Sequence, residues 1–208
     1  MAGWALGFLG VFGALAMGLR AFVQYRRTGS PGVSGVSGSP GSAEWWGGVL
    51  FVLAWVLLVA AALLASNETL EPIDALDTDL VQGVGIALFW AGLLATLFAQ
   101  YAMGDSWRIG VEESDRTQLV TGGVFGLVRN PIYTGMIPAF AGVALMVPNP
   151  VAIAASVLLV AGLEIQTRLV EEPYLLKAHG SAYAEYAARV GRFVPGVGRI
   201  HPRPVTRA

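Results

Sequence analysis

The 208-residue chain is 55% hydrophobic and only 13% charged, with a mean hydropathy of +0.61 and a net charge of −1. A soluble domain carries about 25% charged residues, so the composition places this chain among polytopic membrane proteins. It has no cysteine and only two histidines, which excludes disulfides, thiolate metal sites, cysteine nucleophiles and a histidine-built metal centre; no basic run points to nucleic acid.

Five apolar stretches follow in chain order, at roughly 3–25, 45–65, 80–103, 131–147 and 150–170, each near the ~20 residues that a spanning helix needs. The first lacks a basic segment before its apolar core and carries Arg20, Arg26 and Arg27 after it, so it reads as a retained helix and not a cleaved signal. Gly3, Gly7, Gly10 and Gly13 lie roughly along one side of it, where small residues allow close helix packing. The segment 28–43, TGSPGVSGVSGSPGSA, reads as a flexible linker, with a role as a substrate lid as the lesser alternative. The Gly83–Val84–Gly85 run sits inside a helical pattern with no strand before it, and reads as helix packing and not as part of a dinucleotide fingerprint. The last two apolar stretches are separated only by Pro148, Asn149 and Pro150, a tight helical hairpin.

Charge fixes an orientation. With 26–44, 104–130 and the carboxyl tail on the inner side, all thirteen Arg and Lys residues fall on that side or in the inner part of a helix. The 66–79 loop holds Glu68, Glu71, Asp74, Asp77 and Asp79 and no base. The expected architecture is an all-α polytopic membrane protein with five transmembrane helices, N-terminus outside, C-terminus cytosolic and no Rossmann domain. Residues 1–103 supply three helices and the 28–43 linker. Residues 104–208 form a cofactor-binding catalytic region, with a hairpin over 131–170 and a cytosolic C-terminal helix. Twelve arginines against one lysine, with this topology, suggest a bacterial inner membrane protein.

Unusual polar residues gather on the inner side, at 104–133 and 163–196. At 100° per residue, Glu164, Arg168 and Glu171 share one helix face, with Glu172 about a quarter-turn away. They form either the charged wall of a ligand pocket or a structural salt bridge at the inner helix end. Pro173 removes a backbone hydrogen bond to residue 169 and bends the helix there. Tyr183, Tyr186 and Arg189 recur at helical spacing and by themselves read as an amphipathic interfacial helix.

Together, LVTGGVFGLVRNPIYTG (119–135), the hairpin, and RLVEEPYLLKAHGSAYAEYAARVGRFVP (168–195) resemble the isoprenylcysteine carboxyl methyltransferase family, to which bacterial membrane methyltransferases and, more distantly, phospholipid methyltransferases are related. The family pattern is L-V-T-x-G-x-(Y/F)-x-x-x-R-(H/N)-P-x-Y, a hairpin, E-E-x-x-L-x-x-x-(F/H)-G-x-x-Y-x-x-Y, then R-F-x-P. WRIGV (107–111) also fits its bacterial members, and the resemblance covers about 104–196.

The resemblance implies an S-adenosyl-L-methionine-dependent enzyme with its cofactor near the inner surface. The implied lining is Gln118, Phe125, Gly126, Leu127, Val128, Arg129, Asn130, Tyr133, Pro138 to Ala141, Glu171 and Tyr183. Arg168, Glu172 and Glu164 are the candidate catalytic groups; either glutamate could serve as a base for an alcohol or phenol acceptor. Family members of the eukaryotic type place a carboxylate-binding arginine four residues before that first glutamate, where this chain has Thr167. Asn130 replaces the usual histidine and cannot titrate. Both departures argue against a prenylcysteine substrate and leave a small lipophilic carboxylate, amine or lipid from the bilayer. An NADPH-dependent sterol-reductase-like enzyme, which also carries an N-P-x-Y segment, and a non-catalytic membrane binding protein are the competing expectations.

Overall fold

In the computed structural model, residues 1–32, 35–104 and 119–200 are described; WRIGV, Gln118 and His201 lie outside them. The described residues are helical, with one isolated bridge between Val128 and Gly191 and no strand. The helices are α1 (Ala2–Thr28), α2 (Ala43–Ser66), α3 (Asp79–Met103), α4 (Pro131–Met146), α5 (Pro150–His179) and α6 (Ser181–Arg189). α1, α2, α3 and α5 are each long and apolar enough to cross a membrane. α4 has 16 residues, about 24 Å at 1.5 Å per residue, and is shorter than the span read from sequence.

Local chemistry sets the helix starts. The side chains of Ser42, Thr78 and Asn149 accept from the amides of Trp45, Val81 and Ala152, satisfying donors that an uncapped helix would leave open. Pro131 and Pro150 occupy first-turn positions, where the missing amide costs nothing. The hairpin expected at 148–150 forms, and buried Asn149 also donates to the Ala61 carbonyl of α2 (3.4 Å).

α3 and α4 pack backbone to backbone. A Cβ at Gly85 would lie 2.6 Å from the Gly142 carbonyl oxygen, and one at Gly92 would lie 2.5 Å from the Ala139 amide nitrogen and the Gly135 carbonyl oxygen. The glycines of α1 behave otherwise. Gly3, Gly7 and Gly10 have open space where a Cβ would stand, as does Gly83 of α3; only Gly13 of the expected stripe meets a partner, the Trp55 ring at 3.5 Å, and α1 buries Ala5, Leu9, Phe12 and Ala16 instead. Phe12 packs edge-on against Phe140 (5.5 Å), and Trp55 does the same (5.1 Å).

Two π-helical turns interrupt the long helices, Gly13–Leu19 in α1 and Gln166–Glu171 in α5. In the second, the Glu172 amide reaches back five residues to the Thr167 carbonyl. This wider turn directly precedes Pro173, and the helix continues through it to His179.

Candidate active site

A cavity of about 470 Å³ opens where α1, α2, α3 and α5 meet α4, α6 and the 119–130 segment. That volume falls in the range of small-molecule sites, about 300–1,000 Å³. Its polar end holds Arg129, Asn130, Tyr133, Glu171, His179, Tyr183 and Tyr186; its other end is walled by Met17, Val36, Phe51, Val52, Met103 and Leu163.

Tyr133, one turn into α4, donates its hydroxyl to Glu171 Oε1 at 2.6 Å, which ties the start of α4 to the π turn of α5. Phe193 sits edge-on to the Tyr133 ring. Tyr186 donates to the Phe125 carbonyl at 2.6 Å, holding the short 3-10 turn Gly123–Gly126 against α6. Burial raises the Tyr186 hydroxyl to about 12, against a weaker opposing pull from Arg129. Burial, reinforced by Glu172, raises Tyr183 further still. Both rings therefore face the cavity uncharged.

Beneath this polar end lies a buried cluster of charges. Glu172 accepts from Arg129 at 2.5 Å and from both Nε and Nη2 of Arg192, at 2.8 and 2.9 Å. Arg129 also donates to the carbonyls of Ala187, Val190 and Gly198. The backbone follows the same path: the Arg129 amide donates to Gly191 and the Asn130 amide to Arg192. Thr134 donates to the Phe193 carbonyl at 2.8 Å. The R-N-P and R-F-x-P segments, some sixty residues apart in sequence, are thus sewn together around one carboxylate. Hydrogen bonding to Glu172 also raises the Arg192 pKa, so this guanidinium stays charged.

The sequence-derived residues separate into groups. Phe125, Arg129, Asn130, Tyr133, Glu171 and Tyr183 come together on the cavity wall. Gly126, Leu127 and Val128 are adjacent but do not line it; Leu127 is exposed and Val128 is buried against Gly191. On α4 the wall is made by Pro131, Ile132, Tyr133 and Met136, and Pro138 and Ala141 are not part of it. The expected common face of Glu164, Arg168 and Glu171 is divided. Arg168 pairs with Glu164 outside the cavity, and Glu171 turns to Tyr133. The π turn is the reason, because the 100° step does not hold through it. Glu172 is enclosed by its two arginines, off the cavity wall.

Sequence reasoning missed Glu44, Gln100, Gln166, Tyr174, His179 and Tyr186 as wall residues. Gln100 and Gln166 carried a usable signal, since a polar side chain inside an apolar spanning helix usually faces a cavity or a partner. Segment 35–37 of the linker also reaches the wall, with Val36 against Gly48 of α2.

Comparison with known proteins supports the pattern. The phospholipid methyltransferase family matches residues 81–182. Protein-S-isoprenylcysteine O-methyltransferase B of Arabidopsis thaliana is 29% identical over 119 residues, 56% of this chain and 60% of that protein. Methanethiol S-methyltransferase of a Pseudomonas strain is 29% identical over 156 residues, 70% of this chain and 58% of that protein. The chain is isoprenylcysteine carboxyl methyltransferase-like over this region. It spans about 60% of the length of the curated relatives it matches. The fold agrees: the solved structure of the eukaryotic intramembrane Ras methyltransferase ICMT superposes with a TM-score of 0.56 at 21% identity, over 93% of this chain and 68% of that one. This isoprenylcysteine carboxyl methyltransferase-like chain is an integral membrane protein, and the family it matches implies a methyl donor.

Proposed function

We propose that this chain is an S-adenosyl-L-methionine-dependent methyltransferase acting on a small lipophilic or lipid acceptor drawn from the bilayer. The observation that carries the reading is the two-ended cavity, with charged and aromatic groups at one end and an apolar chamber between the helices at the other. We further assign five membrane passages, with α4 as the short one. The orientation puts the amino end outside and the cavity at the cytosolic face of a bacterial inner membrane. Residues 104–208 hold most of the cofactor end; α1, α2 and α3 complete the apolar end.

The donor set fits the cofactor. Glu44 and Glu171 supply negative charge to the wall, and neutral Tyr183 and Phe125 supply ring faces, a combination that suits a sulfonium cation. Arg129 uses its two terminal nitrogens on protein oxygens, while its buried Nε has no partner among the described residues and remains for an anionic group. When bound, S-adenosyl-L-methionine supplies an electrophilic methyl group. The protein orients: Tyr133 holds the Glu171 carboxylate in one position, and the Glu172 cluster holds Arg129. An in-line displacement draws much of its acceleration from such positioning. Asn130 donates weakly to the Arg192 carbonyl (3.4 Å) and serves as a spacer between the two sewn segments.

Calorimetric titration of the purified protein in detergent tests the reading. S-adenosylhomocysteine binds with micromolar affinity, NADPH does not, and Glu171→Gln weakens S-adenosylhomocysteine binding about tenfold while the protein stays folded. Binding of NADPH alone overturns the assignment. An unchanged affinity removes Glu171 from the site.

A further inference from the structure

The apolar end of the cavity contains one unresolved hydrogen-bonding requirement. Gln100, near the inner end of α3, is 2% exposed and lies on the cavity wall. Its Nε2 donates to the Ala16 carbonyl of α1 at 2.8 Å. That carbonyl sits in the π turn of α1, where the Arg20 amide donates to Met17 instead of to Ala16 four residues back. A carbonyl can only accept, so this bond fixes which way the amide is turned. Gln100 Oε1 is then left as an acceptor, buried and with no partner among the described residues. A buried acceptor without a donor is costly, and its neighbours here are mainly apolar.

We infer that Gln100 is a specificity-determining residue whose Oε1 accepts a hydrogen bond from an O–H or N–H group on the lipophilic substrate. The inference rests on the methyltransferase reading and narrows it. The substrate is an apolar alcohol or amine and not a carboxylate, which at neutral pH offers acceptors only. The charges around the cavity agree. Thr167, at the position where eukaryotic-type members carry a carboxylate-binding arginine, is fully buried and off the wall. Arg168 pairs with Glu164 outside. Glu44 and Glu171 face inward, and the terminal nitrogens of Arg129 are committed to Glu172 and backbone carbonyls. A carboxylate placed against Gln100 Oε1 brings a second acceptor where a donor is wanted.

The test compares ligands with and without a hydrogen-bond donor. Thermal unfolding of the detergent-solubilised protein is followed with 1-dodecanol, 1-methoxydodecane or dodecanoate at equal mole fractions in the micelle. Ligand-induced stabilisation reports relative affinity. Wild type favours dodecanol over the ether by about fivefold to tenfold, the worth of one hydrogen bond, and dodecanoate binds weakest. Gln100→Met binds dodecanol and the ether equally. Equal affinities in wild type, a preference that survives in Gln100→Met, or tightest binding of dodecanoate overturns the inference. If Gln100→Met does not fold, the wild-type series decides alone. S-adenosylhomocysteine titration of the same wild-type preparation separates the two levels: its failure sinks the methyltransferase reading, while a failed ligand order with that binding intact sinks only the role of Gln100.

Discussion

Glu171 and Glu172 are adjacent and identical in chemistry, yet the fold gives them different work. Glu171 lines the cavity and accepts from Tyr133; Glu172 lies beneath it and is shared by two arginines. Their difference follows from the π turn that ends at Glu171, which sends consecutive side chains toward different elements. Removing one partner of a buried ion pair costs about 3–5 kcal/mol, because the remaining charge keeps its desolvation cost. Glu172→Gln should therefore lower unfolding stability in detergent by about 3 kcal/mol, measured by denaturant titration. Glu171→Gln should stay near wild type in the same assay. The paired glutamates are plain in the sequence. Which one faces the cavity is not, because a constant helical step cannot anticipate a change of pitch.

At the scale of elements, glycine shows how far spacing alone can be read. The α1 glycines recur every three or four residues and suggest a packing face, yet Gly3, Gly7 and Gly10 look outward and only Gly13 meets a neighbour, Trp55. The glycines of α3 and α4 make the closest helix contact, at Gly85 with Gly142 and at Gly92 with Gly135. Spacing gives the stripe; only the partner helix decides whether the stripe is used. Gly92→Ala should force α3 and α4 apart and cost about 1–3 kcal/mol, seen as a lower midpoint in thermal unfolding. Gly83→Ala, with nothing in its way, should leave the midpoint unchanged. Helix limits were more legible, since Ser42, Thr78, Asn149, Pro131 and Pro150 act through local chemistry. α6 was legible as a helix but not as a buried one: Tyr183 and Tyr186 are covered by Leu119, Leu175 and Ile200, which lie outside that helix.

For the whole molecule, the positive-inside pattern yields a test that the absence of cysteine makes simple. A cysteine placed at Glu71 should react with a membrane-impermeant maleimide from outside intact cells. One placed at Ser181 should react only after permeabilisation. The reverse labelling would invert the orientation and put the cavity on the other face. The apolar stretches and their charge asymmetry carry most of the architecture, because lipid imposes length and sign on a sequence directly. The cavity is less legible, because its walls come from six helices and each contributes only a few side chains.

The shared carboxylate of Glu172 also sets an order of manufacture. Its two arginines come from residue 129 and residue 192, and the backbone of 191–193 closes on 129–134. The membrane helices through α5 are made before that closing strip exists. A chain ending near residue 190 would keep the membrane helices but lack the strip that holds Arg129 beneath the cavity. The 191–193 strip thus acts as the seal on a vessel whose walls come from the helices before it.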